Sequence, residues 1–104
     1  MNKYGAKKTE FAGIVFDSKA EADRYQYLVL MEKGGKIKDL VRQVKFELAP
    51  AVILNGRKKP ALRYVCDFMY SENGVVIIED VKGVVMPVFR IKQHLMKSVH
   101  GIDV

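Results

Sequence analysis

Asp67 is followed, after twelve intervening residues, by Asp80-Val81-Lys82, which closes an apolar run from Val75 to Ile78. Two carboxylates and an amine at the end of a buried-looking strand need a reason, because burying any one of them alone is expensive. Side chains alternate across a strand, so Asp80 and Lys82 share one face and Glu79 points to the other. In the preceding run Asp67 shares a face with Arg63, Val65 and Met69. Counted back from the Asn73-Gly74 turn, Asp67 and Asp80 stand at comparable places on neighbouring strands, a register that sets their carboxylates about 5 Å apart. Like charges that close are unfavourable unless a cation bridges them. Mg²⁺ suits the place, with Mn²⁺ as its substitute, since it takes oxygen ligands from one or two carboxylates, waters and a phosphate. Lys82 would orient or deprotonate a water, or stabilise the charge of a transition state. Glu21 is a third acid if its helix packs over this face. The plainer reading is a strand end reaching solvent, with Asp80 and Lys82 as a same-face ion pair worth little. A second acid-x-lysine triplet, Asp17-Ser18-Lys19, is explained by helix capping alone.

The elements that would hold these residues can be read along the chain. Residues 1–16 form a basic arm and a short extended entry, with a hairpin around Gly13. The clearest helix lies in 17–36: Asp17 or Ser18 caps it, Glu21 stands at the capping-box distance from Ser18, and Gly34-Gly35 stops it. Its apolar set is Ala20, Tyr27, Leu28 and Met31. Residues 39–50 alternate as a strand, Asn55-Gly56 signals a hairpin, and 62–70 and 75–83 are two further strands. A second helix spans 87–101, with Pro87 near its start, Gly101 after its end, and Val88, Ile91, Leu95 and Val99 as its apolar stripe. Ile102 to Val104 close the chain as a short last strand. The fold class expected is α/β, helices flanking a mixed central sheet in one domain of 104 residues.

Composition narrows the partners. No apolar run approaches the length of a membrane span, and no signal-peptide pattern opens the chain, which predicts a cytoplasmic protein. The single Cys66 excludes an internal disulfide and fits a reducing compartment. Net charge is +6, with 13 Lys/Arg against 7 Asp/Glu in residues 1–60 and 5 of each in 61–104. A basic first half suggests an anionic partner, nucleic acid above all. Three clusters are placed to follow phosphates: Lys3, Lys7 and Lys8; Arg57, Lys58 and Lys59; and Arg90, Lys92 and Lys97. Lys92 is the one expected beside the acids, and Gln43 is expected to support them. For each cluster the competing reading is a solvated face. His94 and His100 lack the spacing of a closed zinc site, and the tyrosines read as packing residues.

The set Asp67, then Asp80-Val81-Lys82, with Glu21 on the first helix, resembles the PD-(D/E)xK nuclease superfamily. "FDSKAEADRYQYL", "RQVKFEL", "RYVCDFMY", "VIIEDVKG" and "FRIKQHLM" look most like its small phage-encoded members, whose relatives include Holliday junction resolvases. The resemblance implies a restriction-endonuclease-like αβββαβ core over about residues 17–104. It implies Asp67, Asp80 and Glu21 as Mg²⁺ ligands and Lys82 as the catalytic lysine. It further implies cleavage of branched or four-way DNA, by a homodimer if two symmetric cuts are needed, in the host cytoplasm. Cys66 stands where the superfamily's proline would precede the first acid. Two other readings are kept: a nickase or end-processing nuclease, and a non-catalytic DNA-binding accessory protein.

Overall fold

The computed structural model describes residues 8–81 and 87–104. In chain order the elements are β1 (Thr9–Phe11), β2 (Ile14–Phe16), α1 (Lys19–Lys33), β3 (Lys38–Ala49), β4 (Val52–Leu54), β5 (Arg57–Lys59), β6 (Leu62–Glu72), β7 (Val75–Glu79) and α2 (Pro87–Leu95). A π-helical turn, Met96–His100, continues α2. The protein is mixed α/β. Its central sheet has three strands in the order β3-β6-β7, and both pairings are antiparallel.

Local chemistry sets these boundaries. Ser18 Oγ accepts the Glu21 N–H at 3.1 Å and starts α1. The β4–β5 and β6–β7 turns put Asn at φ 52° and Gly at φ 77° and 80°, the paired positive dihedrals of a type I′ hairpin turn. Gly101, at φ 70°, ends the second helical segment in the left-handed cap.

Two apolar clusters hold the layers together. Leu28 and Ile37 meet Phe68 and Tyr70, with Tyr25, Met31 and Leu40 beside them. Leu48, Tyr64, Cys66 and Ile78 meet Met96, with Val44, Phe46, Met69 and Phe89 beside them. Cys66 and Phe68 have the same parity in β6, yet they serve different clusters. β3 changes sides at the same level: Val44 joins the second cluster, whereas the Arg42 guanidinium lies 4.5 Å from the Phe16 ring and 5.7 Å from that of Tyr25. Between these residues lies Gln43, at φ 53°, a left-handed backbone that is unusual for a non-glycine residue inside a strand. The regular alternation of side chains breaks there, on both strands.

Four expectations change. The sheet is antiparallel, not mixed, because Ile102 to Val104 form no strand; Ile102 and Val104 pack on the second cluster instead. The inner face of α1 carries Glu21, Ala22, Tyr25 and Leu28, while Ala20 and Tyr27 point outward. On α2 the stripe of Val88, Ile91 and Val99 is exposed, because Phe89, against the Tyr64 ring at 6.3 Å, and the fully buried Met96 turn the opposite side inward. Asp67 also does not share a face with Val65 and Met69 together: Val65 is exposed while Met69 packs beside Cys66, on the far side of the break at Gln43.

Candidate functional site

The β6–β7 ladder pairs Tyr70 with Ile77, Met69 with Ile78 and Phe68 with Glu79. One step further this antiparallel register sets Asp67 opposite Asp80, where β7 ends and its regular ladder bonds stop. Side chains take over the bonding. The Asp67 N–H donates to Asp80 Oδ1 at 3.1 Å, and the Val81 N–H donates to Asp67 Oδ2 at 2.8 Å. Each aspartate therefore fixes the other strand's backbone. The Tyr64 hydroxyl donates to Asp80 Oδ2.

Asp67 also lies level with Gln43, between the bracketing pairs Arg42–Phe68 and Val44–Cys66. The left-handed backbone of Gln43 is the kind of local strain that collects at functional sites. Its side chain reaches α1, where Nε2 donates to Glu21 Oε1 at 3.3 Å. Glu21 is 6% exposed, the one charged residue in the buried set among the described residues. Burial raises its pKa above the ordinary carboxylate value, and the negative charges of Asp67 and Asp17 raise it further; Arg42 and the Gln43 hydrogen bond pull the other way. Gln43 thus ties Glu21 of α1 to the level of Asp67 in the sheet, and Asp67 and Asp80 hold each other's backbone at the end of β7.

Glu79 is turned the other way. Arg24 of α1 grips it with two hydrogen bonds, Nε to Oε2 at 2.8 Å and an NH2 group to Oε1, and the Tyr70 hydroxyl donates to the same Oε1. The Arg24 contact, first, holds the Glu79 pKa below the ordinary value against the opposing effect of burial. Burial and the bond to Glu79 push the Tyr70 phenol up to about 12.

A family model described as Protein of unknown function (DUF1064) matches residues 1–101. The chain belongs to this family. No curated protein and no solved structure was found to match it.

In this family member the remaining expected site residues fall as follows. Lys82, Lys3 and Lys7 lie outside the described residues. Lys8 is exposed before β1, and Arg57, Lys58 and Lys59 are exposed on β5. Arg90 is exposed on α2, and Lys97 pairs with Asp103 at 3.2 Å. Lys92 is half-buried one helical turn beyond Phe89, whose ring adjoins the Tyr64 that binds Asp80. Residues one turn apart share a helix face, so Lys92 is turned toward the same side of the sheet. Tyr64 and Arg42 were not anticipated in these roles. A buried tyrosine hydroxyl requires a partner, and the acid ending the neighbouring strand is the nearest acceptor a sequence could have offered. Arg42 carried no comparable signal.

Among the described residues no three His, Cys, Asp or Glu side chains gather as a group that could hold a metal ion. No helix among them is long and apolar enough to cross a membrane.

Proposed function

We propose that this protein is a metal-dependent DNA endonuclease that hydrolyses phosphodiester bonds in branched DNA, four-way junctions foremost. The observation that carries the reading is the meeting of Asp67 and Asp80 at the open end of the β6–β7 pair, with the buried Glu21 joined to the same place through Gln43. The likeness of Asp67, Asp80-Val81-Lys82 and Glu21 to the PD-(D/E)xK pattern supports it, and a restriction-endonuclease-like core is part of the same proposal.

The donor set suits a hard divalent cation. All three acids offer oxygen, and among the described residues Asp67 Oδ1 and Glu21 Oε2 accept no hydrogen bond. Mg²⁺ commonly takes one or two carboxylates and completes its shell with waters and a substrate phosphate, so a cage of three protein ligands is not required. When bound, such an ion polarises a phosphodiester oxygen and lowers the pKa of a coordinated water. The chain's own residues do the positioning. Tyr64 and the Asp67 N–H hold the Asp80 carboxylate in one orientation, and Gln43 holds Glu21. Burial, and then the negative charge of Asp67, disfavour the ionised form of Glu21. Lys82 is assigned the alignment of the attacking water, and Lys92 a contact to the phosphate beside it. Symmetric cuts in a junction call for a two-fold dimer acting in the cytoplasm.

The test is cleavage of labelled four-way junction, linear duplex and single strand with Mg²⁺, by the wild type and by Asp80→Asn. The junction is cut by the wild type, and the variant loses at least about a thousandfold in rate while binding persists. Equal cutting of the linear duplex replaces the junction reading with a nickase or end-processing one. Binding with no cutting of any substrate leaves a non-catalytic accessory protein.

A further inference from the structure

Every residue from Ala51 to Pro60 is exposed, including the aliphatic strand of the β4–β5 hairpin: Val52 at 51%, Ile53 at 77% and Leu54 at 54%. An isolated two-stranded hairpin is marginal in water, and three adjacent exposed aliphatic residues make it more so. Pro50 and Pro60 frame it and break its continuity with the ladders of β3 and β6, since proline donates no backbone hydrogen bond. The hairpin is a projection with its own turn, and its surface asks what covers it.

The pairing gives the answer. Val52 pairs with Lys59, Ile53 with Lys58 and Leu54 with Arg57. Paired residues share a face of the ribbon and successive pairs alternate. One face therefore carries Val52, Leu54, Arg57 and Lys59, and the other Ile53 and Lys58. Both faces present aliphatic groups along one edge and cations along the other. No acid occurs between Pro50 and Leu62, so a second copy docking hairpin to hairpin would set cations against cations. A polyanion with an apolar floor fits instead. The major groove of duplex DNA is about 12 Å wide and admits a two-stranded ribbon, whose strands lie about 4.8 Å apart. Phosphates line its walls, and thymine methyl groups lie on its floor.

We propose that the β4–β5 hairpin is a finger that enters the major groove of duplex DNA, with Arg57, Lys58 and Lys59 on phosphates and Ile53 on the base edges. The proposal shares its DNA partner with the nuclease reading but does not depend on catalysis. Gly56 is eleven residues from Asp67, so the fingertip lies within about 40 Å of the acids. That reach spans about one turn of B-DNA, 34–36 Å. The finger holds the arm of duplex beside the site while the acids meet the strand one turn or less away.

The test uses the full chain with EDTA present, so that binding is separated from cutting. Binding to a fluorescent duplex of about three helical turns is followed by anisotropy over a salt series, for the wild type, for Arg57→Ala/Lys58→Ala/Lys59→Ala, and for Ile53→Ser. Each phosphate contact adds about 0.9 to the slope of log affinity against log salt, so the triple variant loses about 2 to 3 from that slope. Ile53→Ser keeps the slope and weakens binding about 10- to 100-fold, the scale of one aliphatic side chain left in water. Unchanged melting temperatures show that the variants fold. The major-groove ligand methyl green competes with the protein, and a minor-groove ligand does not. Wild-type affinity and slope in the triple variant overturn the proposal. So does a shift of the triple variant from dimer to monomer with its DNA binding intact, which would assign the hairpin to a second copy. A chain that binds through the finger but cuts nothing overturns the nuclease reading alone.

Discussion

Glu79 and Asp80 are neighbours in sequence and are held by different partners in two regions. Glu79 faces α1 and meets a cation and a phenol: Arg24 and Tyr70 supply three hydrogen bonds between them. Asp80 accepts from the Tyr64 hydroxyl and the Asp67 N–H at the strand end, and the negative charge of Asp67 acts on the buried Glu21. The first region lowers the pKa of its acid and the second raises that of Glu21. Pairing of the first kind fastens helix to sheet. In the second region Asp67 and Asp80 fasten the strand ends through each other's backbone, while the charge of Asp67 adds to the cost of ionising the buried Glu21.

The contrast can be broken by removing one charge from each region. Glu79→Gln leaves Arg24 without its counter-charge and is expected to destabilise the fold by about 1–3 kcal/mol. That range lies between exposed and buried pairs because the two side chains are 38% and 20% exposed. Asp67→Asn keeps an oxygen for the Val81 N–H and relieves Glu21, so stability holds or rises. Urea unfolding of both variants measures the difference. Equal losses would mean that the two regions do the same structural work.

A smaller effect appears with pH. Glu79 has a lowered folded-state pKa, so its contribution is complete above the ordinary carboxylate value and disappears as pH falls through the folded value. Tyr70 is raised to about 12, so its contribution is complete below the ordinary tyrosine pKa and is lost as pH rises from about 10 toward 12. Glu21 is raised, so the folded state loses stability as pH climbs through and just above the ordinary carboxylate range. Urea midpoints across pH should show this last loss in the wild type and a smaller one in Asp67→Asn.

Much of this arrangement was legible because it depends on local chemistry and counting. Asn73-Gly74 fixes a two-residue turn, and parity from that turn sets Asp67 opposite Asp80. Asn55-Gly56 and the Ser18 cap were readable for the same reason. What sequence could not offer was the break at Gln43, since no residue type there announces a left-handed backbone, and the face shared by Asp67 was misassigned as a result. The Arg24–Glu79 grip joins residues 55 apart, a pairing that only the packing of α1 on the sheet determines. The inner side of α2 was misread because its apolar residues lie on two sides, and Phe89 and Met96 meet the sheet first.

The most direct test of the central claim is a calorimetric Mn²⁺ titration of the wild type, Asp67→Asn, Asp80→Asn, Glu79→Gln and Tyr64→Phe without DNA. The account predicts a site in the wild type that is retained in Glu79→Gln and lost in both aspartate variants. In Tyr64→Phe it is weakened about 10- to 100-fold, the usual effect of removing a hydrogen bond that orients a ligand. Undiminished Mn²⁺ binding in Asp67→Asn and Asp80→Asn would contradict it.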